Sequence, residues 1–369
     1  MQLPSQFVRL TGSSNKVIKQ LTLLRKDKAE RARQGHVLVQ GIKTIQELAQ
    51  KGIPIATLGI TLPASPADST AEQGHSHPTA CVQSIQALVG GHAADNHPVD
   101  LRGSSLELVQ AIARGEIQAG QYLAVSRALT SKLLGTQSPT SEHEVWAKVR
   151  TMDHSHRFDP SSSRLVERML VLDRITDPGN MGLMIRAGSA LGWDGSWHTP
   201  GTVDEMNDKV IRASRALCLE WPVKAGGTWS QLDQFLQHRR MALVVADMLP
   251  ASASVQKGGA ASKKDRSMLE VDPYQLAWWN WPTGLPSTTL PNRIALVLSS
   301  EHHGVRAHQE TEMEQQVKSR LLDNAIRVSI PMATGVESMN VATAATTMMW
   351  EINQLVHRKG APQILRIAQ

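Results

Sequence analysis

The sequence predicts an α/β protein in two parts: a small α/β domain, then a larger domain built on a parallel sheet. Three observations carry this expectation. Short apolar runs alternate with stretches of helical periodicity along most of the chain, the pattern of strands joined by crossover helices. In the second half, three apolar runs each end in a polar loop that feeds a helix. At 369 residues, the chain can fill more than one core, so two domains are the natural arrangement.

The first expected domain spans 1–152. A basic helix occupies the start of 16–50, followed by a strand at 37–39, a turn at Gly41 and a helix face of Ile42, Ile45 and Leu48. A strand is expected at 56–62, a helix at 106–114, a strand at 122–125, then SRALTSKLLGTQSP as a helix and turn and EVWAKVRT as a strand. Residues 63–100, rich in Ala, Ser, His, Gly and Pro, read as an insertion. DHSHRFDPSSS (153–163) reads as a linker.

The second domain, 164–358, opens with the buried strand RMLVLDRI, the loop TDPGN and the helix MGLMIRAGSALGW. GSWHT is a short strand, and EMNDKVIRASRALCLEW one helix ended by Pro222. A helix near 229–239 and the strand MALVVADM follow. Residues 250–290 lose the pattern and read as a second insertion, with Trp278, Trp279 and Trp281 as a hydrophobic plug or a base-stacking platform. IALVLSS leads through EHHGV to a helix. The closing unit is strand, loop and helix, RVSIPMATGVESMNVATAATTMMWEINQLVH. There Ser338 stands where an N-cap belongs, and Val341, Ala344, Ala345, Met348, Met349, Ile352 and Leu355 recur at helical spacing. Residues 359–369 read as a tail.

Apolar residues make up 41% and charged residues 20%, as in globular proteins. No apolar run approaches the roughly 18–20 residues of a membrane span. With 2 Tyr and 3 Phe against 14 Met, the core must rest on Met, Leu and Val. Net charge is +6, and residues 1–35 alone carry that excess through Arg9, Lys16, Lys19, Arg25, Lys26, Lys28, Arg31 and Arg33 against Asp27 and Glu30. A solvated helix face and a phosphate-contacting surface both fit this cluster. Cys81 and Cys218 read as free thiols in a reducing compartment. The acid-poor start is compatible with organelle import.

Several site patterns are absent from the sequence: GxGxxG after a strand, GxxxxGK[ST] and GxSxG. The pairs His75/His77, His154/His156 and His302/His303 lack partners at zinc spacing. What remains are the three loops after apolar strands. In DPGNMGLMIRAGSALG, Asn180 could cap a helix, and Arg186 sits amid Leu183, Ile185, Ala187 and Leu191. Such an Arg is either a surface or ion-paired residue or one aimed at a phosphate or hydroxyl.

DPGNMGLMIRAGSALG, LVLSSEHHGV and IPMATGVESMNVATA resemble, in order, the three motifs of the SpoU (TrmH) family of RNA ribose 2′-O-methyltransferases. NDKVIRAS resembles the segment between the first two, and residues 15–48 resemble the family's N-terminal ribosomal-protein-L30-like RNA-binding domain. The resemblance covers most of the chain outside 63–100 and 250–290. It implies a SPOUT domain whose C-terminal segment threads a trefoil knot, S-adenosylmethionine as cofactor, RNA (rRNA rather than tRNA) as substrate, and a homodimer or a dimer with a related SpoU subunit. It implies cofactor contacts at Ser299, Glu301, Gly304, Ile330, Met332, Met339 and Asn340. Catalytic roles fall to Arg186, Asn180, Glu301, Ser338 and Asn340, and RNA contacts to Lys16, Lys19, Arg25, Lys26, Arg31 and Arg33. No membrane is implied. Ser299 departs from the family's glycine and Met339 from its leucine. The first departure and the two insertions keep a rival open: a catalytically weak homologue acting as a ribosome-assembly factor, meeting ribosomal assembly intermediates. The expected compartment is the mitochondrion, with the cytoplasm as alternative.

Overall fold

The computed structural model describes residues 3–10, 12–63, 101–135, 144–159, 162–249, 254–255, 270–271, 275–280, 287, 291–299, 305, 310–333, 335–336 and 338–359. Residues 64–100, most of 250–290, Glu301, Gly304, the His75/His77 and His302/His303 pairs, Cys81, Trp281 and the tail from 360 lie outside them. The chain divides into two compact units, Met1–Thr151 and Met152–Gln369.

The first unit runs β1 Phe7–Leu10, α1 Lys16–Lys26, α2 Lys28–Gln34, β2 His36–Gln40, α3 Ile42–Gln50, β3 Ile55–Leu62, α4 Gly103–Ala113, β4 Gln121–Ser126, α5 Arg127–Leu134 and β5 Val145–Arg150. Its sheet has the order β1-β4-β3-β5-β2. Strands β1, β4 and β3 are parallel, and β5 runs antiparallel to both β3 and β2. The basic helix expected as one piece is two. Asp27 takes an extended backbone, and its carboxylate accepts from Ala29 N (2.8 Å) and Glu30 N (3.2 Å), stopping α1 and capping α2. The four-residue β1 carries exposed Val8 and Arg9 in its middle, too short a signal for period two to reveal.

The second unit runs β6 Arg168–Asp173, α6 Pro178–Ala190, β7 Gly195–His198, α7 Asp208–Ala213, β8 Val223–Lys224, α8 Trp229–Arg239, β9 Ala242–Ala246, β10 Ser254–Val255, β11 Glu270–Val271, β12 Ala277–Asn280, β13 Ile294–Ser299, α9 Glu312–Asp323, β14 Ile326–Ser329 and α10 Val341–Lys359. Its main sheet has the order β12-β14-β9-β13-β6-β7-β8. The strands are parallel except β12, which pairs antiparallel with β14. The sheet is thus mostly parallel, as expected, with one antiparallel edge strand. Part of the patternless segment 250–290 supplies an edge strand, burying Trp279 at 1% exposure. Met169, Val171, Val245 and Val297 are fully buried, as a sheet covered on both faces requires.

Two further expectations change. The segment 153–163 is not a free linker: Phe158 is buried against Trp197 and Phe235, and Arg239 donates to the carbonyls of Asp159 (3.0 Å) and Ser162 (2.8 Å). The helix expected over 205–221 stops at Ala213, because Arg215 and Ala216 adopt left-handed backbone (φ 53° and 60°). That turn leads to Trp221, whose Nε1 donates to the buried Ser196 Oγ at 2.8 Å. Among the described residues no helix is long and apolar enough to cross a membrane.

Gly182 lets α7 lie against α6. A Cβ there would meet Ala213 Cβ at 2.5 Å, Val210 O at 2.8 Å and Ser214 N at 3.0 Å. Backbone cannot yield as a flexible side chain does, so Gly182→Ala is expected to destabilise the second unit by about 1–3 kcal/mol. Urea unfolding followed by tryptophan fluorescence reads this, and an unshifted midpoint would contradict the packing described.

Candidate functional site

In the main sheet, β14, β9 and β13 are neighbours and parallel. Their carboxyl ends therefore open on one side, where α/β sheets bind ligands. A cleft of about 830 Å³ lies there, within the roughly 300–1,000 Å³ of small-molecule sites. Leu298, Val341, Ala344 and Met348 contribute apolar wall, and Ser299, Ser329 and Ser338 contribute hydroxyls. Ile330, Met332 and Met339 also line it. Five residues singled out from the sequence, Ser299, Ile330, Met332, Ser338 and Met339, thus share one cavity. Glu301 and Gly304 lie outside the described residues.

Ser299 continues the β13 ladder opposite Asp173. Its backbone is extended, a region open to any residue, so a side chain there carries no conformational strain.

The loops entering α6 and α10 are joined directly: Asn340 Nδ2 donates to Asn180 Oδ1 at 2.9 Å. Two capping expectations are corrected here. Asp177 caps α6, its carboxylate accepting from Asn180 N at 2.7 Å, so Asn180 sits inside the first turn. Asn340, not Ser338, caps α10, its Oδ1 accepting from Ala342 N (2.9 Å) and Thr343 N (3.3 Å). Ser338 is left exposed at the cleft. Arg186 is exposed on α6 and makes no hydrogen bond or ion pair among the described residues.

Behind the site lies a cluster of charges that the sequence did not reveal. Lys318 Nζ of α9 donates to Asp173 Oδ2 (3.2 Å) and Glu310 Oε1 (3.1 Å), with the Lys318 and Asp173 side chains 3% and 2% exposed. Arg174 Nη2 also reaches Glu310 Oε1 at 3.1 Å, and Thr199 Oγ1 donates to Asp173 Oδ1 at 2.8 Å. Lys318 further lies 5.0 Å from the centre of the Trp229 ring. Arg174 is held at φ 54°, and its backbone N–H donates to Thr199 Oγ1 and Thr202 Oγ1. The motif-one loop therefore leaves β6 in a fixed direction. In EMEQQVKSRLLD nothing separates Lys318 from a surface lysine.

Other arrangements are structural. Ser196 Oγ and His198 Nε2 lie 2.8 Å apart with Glu205 3.9 Å from Nδ1. Ser196 and His198 are 0% and 2% exposed, so no substrate reaches this hydroxyl. Burial pushes the Cys218 thiol up to about 12, which leaves it unreactive.

In the first unit, Lys16, Lys19 and Lys26 are exposed on α1, and Arg25 is half-buried. Arg31 is corrected as an RNA contact: it is buried, and its Nη1 donates to the carbonyls of Leu24 and Arg25 at 3.0 Å, closing the end of α1. Arg33 is exposed but binds Glu30 through two hydrogen bonds (2.9 and 2.6 Å). With help from Gln34, it holds that carboxylate down to about 2.

Residues 167–350 match the family model described as the SpoU rRNA Methylase family. The chain belongs to the SpoU family. The matched segment contains Asn180, Arg186 and all the described cleft residues. Mouse (Mus musculus) mitochondrial rRNA methyltransferase 3 is 27% identical over 208 residues, 50% of this chain and 45% of that protein. The chain thus spans under half the length of that relative. A Bacillus subtilis 23S rRNA (guanosine(2553)-2′-O)-methyltransferase is 24% identical over 215 residues, 58% of this chain and 68% of that one. The SpoU methyltransferase AviRb from Streptomyces viridochromogenes, solved with AdoMet, superposes with a TM-score of 0.57 at 20% identity, covering 94% of this chain and 100% of that one. The likeness extends the SpoU fold over nearly the whole chain.

Lys318→Met would leave the buried Asp173 carboxylate without its cation, while Glu310 keeps Arg174. An uncompensated buried charge costs about 3–5 kcal/mol, so calorimetry should show a large fall in the melting temperature of the second unit. A fall of only a degree or two would mean that the network is not formed.

Proposed function

We propose that the chain is an S-adenosylmethionine-dependent RNA methyltransferase acting on a ribose 2′-hydroxyl, with rRNA as substrate. The observation that carries this reading is the cleft at the ends of β9, β13 and β14, walled by residues of the second and third SpoU motifs. The residues present fit the cofactor. Apolar walls suit an adenine ring and a thioether-like chain, and the hydroxyls of Ser299, Ser329 and Ser338 suit its polar groups. Bound there, S-adenosylmethionine supplies a methyl group already activated for displacement.

The protein's own task is then alignment and stabilisation of charge. Asn340 joins the cap of α10 to Asn180, so the first motif is held against the third. Arg186 presents an exposed guanidinium on α6 with no hydrogen bond or ion pair among the described residues, suited to receiving a ribose hydroxyl or its phosphate and stabilising the alkoxide as the proton leaves. Lys16, Lys19 and Lys26 share one face of α1 by their spacing, and we assign that face to the RNA backbone. Against the rival reading, an assembly factor of weak activity, stands the position of Ser299 within the β13 ladder, where its side chain needs no left-handed backbone.

The naming of the mouse relative favours rRNA and the mitochondrion, and that of the Bacillus relative favours 2′-O transfer. Leu183 on α6 and Trp350 on α10 are 48% and 56% exposed. Large apolar side chains left in solvent suit an interface, so the working form is taken as a dimer. The crossing of the trefoil knot belongs to the same reading; its loop residues 300–304 and 306–309 lie outside the described set.

Calorimetric titration of S-adenosylmethionine into the full chain should show one site per chain, and no binding by folded protein would overturn the proposal. Arg186→Ala should leave that affinity within about twofold while lowering methyl transfer to RNA by roughly 100-fold or more, the size of a lost oxyanion donor. Unchanged turnover would remove Arg186 from the chemistry.

A further inference from the structure

We propose that Asp247 is a specificity-determining residue of the cleft, accepting hydrogen bonds from the ribose hydroxyls of the adenosine cofactor. The inference rests on the function proposed above. Asp247 follows β9 directly, at the carboxyl end of the central strand of the three. Among the described residues lining the cleft it is the only charged one. Its carboxylate is fixed: Met248 N donates to Oδ1 at 2.9 Å, and Arg327 Nη1 lies 3.2 Å from Oδ2. Its backbone N–H is tied to Val328 O at 2.9 Å.

Pairing with Arg327 accounts for part of this arrangement, not for all of it. Arg327 is 1% exposed, while the Asp247 side chain is 42% exposed and opens on the cleft. A carboxylate present merely to neutralise a buried guanidinium gains nothing from facing a binding cavity. The pairing also decides what Asp247 recognises. The guanidinium cancels most of its long-range field, so the pair attracts a cationic sulfonium weakly. What survives is a carboxylate acceptor positioned by Met248 N and Arg327, the kind of group that binds a ribose hydroxyl through strong, directional hydrogen bonds. Carboxylates at strand ends bind nucleoside ribose in other α/β folds for the same reason.

The test compares S-adenosylhomocysteine with its 2′-deoxy and 3′-deoxy analogues by calorimetry on the full chain. The wild-type chain should lose about tenfold or more in affinity for at least one deoxy analogue, the size of a hydrogen bond to a charged group. Asp247→Asn should weaken S-adenosylhomocysteine by a similar factor and reduce that discrimination to less than about threefold. Equal wild-type affinity for all three ligands would overturn the proposal with no variant needed. Discrimination kept at wild-type strength in Asp247→Asn would overturn it too, as would a loss confined to the cationic S-adenosylmethionine. If Asp247→Asn does not fold, the double variant Asp247→Ala with Arg327→Met, which removes the pair together, should likewise lose the discrimination. A folded wild-type chain that binds none of the ligands would overturn the functional reading, and this assignment with it.

Discussion

The second unit depends on one buried ammonium group. Lys318 reaches from α9 to Asp173 at the end of β6 and to Glu310, just before α9 begins. Asp173 is in register with Ser299 at the end of β13. The contact thus fastens the two strands where their loops depart, together with the far end of the loop that leaves β13. Two carboxylates and two cations, Lys318 and Arg174, balance in charge, and the hydroxyl of Thr199 satisfies a further lone pair. Buried ion pairs are a poor source of net stability, since desolvation offsets most of the attraction. Their geometric demand is strict, however, and geometry is what this part of the fold requires.

Methyl transfer asks little of a protein chemically and much of it sterically, because donor and acceptor must meet in line. The fold meets that demand with rigid parts. The cleft is floored by strand ends and by α10, whose cap Asn340 is also bonded to Asn180. Left-handed Arg174 aims the first loop, and Asp177 starts α6 from it. Arg186 is exposed and is not among the described residues lining the cleft, so in the proposed function it would meet the RNA rather than shape the cavity.

Much of this was legible in the chain. Apolar runs such as MLVLD and IALVL are the buried strands β6 and β13, and the apolar face of α10 is nearly as the spacing of Ala345, Met348, Met349 and Ile352 required. The three polar loops stood out because each follows such a run. What stayed hidden depends on contacts distant in sequence or on backbone angles. Ser338 and Asn340 are both good caps, as are Asp177 and Asn180, and only dihedral angles choose between them. Arg31 and Arg33 look alike, yet one turns inward to carbonyls and the other outward to Glu30. Lys318 is recognisable as buried only when Asp173, 145 positions earlier, is beside it. Asp247 ends MALVVAD as plainly as the other strands end in their loops, but no readable helix follows it to mark a site.

The central claim is that the ends of β9, β13 and β14 form the methyl-donor site. Amide hydrogen exchange with and without S-adenosylhomocysteine tests it most directly, since protection reports where the ligand orders the backbone. Bound ligand should slow exchange in peptides covering 246–249, 298–299 and 330–341 and leave the first unit, Met1–Thr151, unchanged. Unaltered exchange in those peptides under saturating ligand, or protection confined to the first unit, would contradict it.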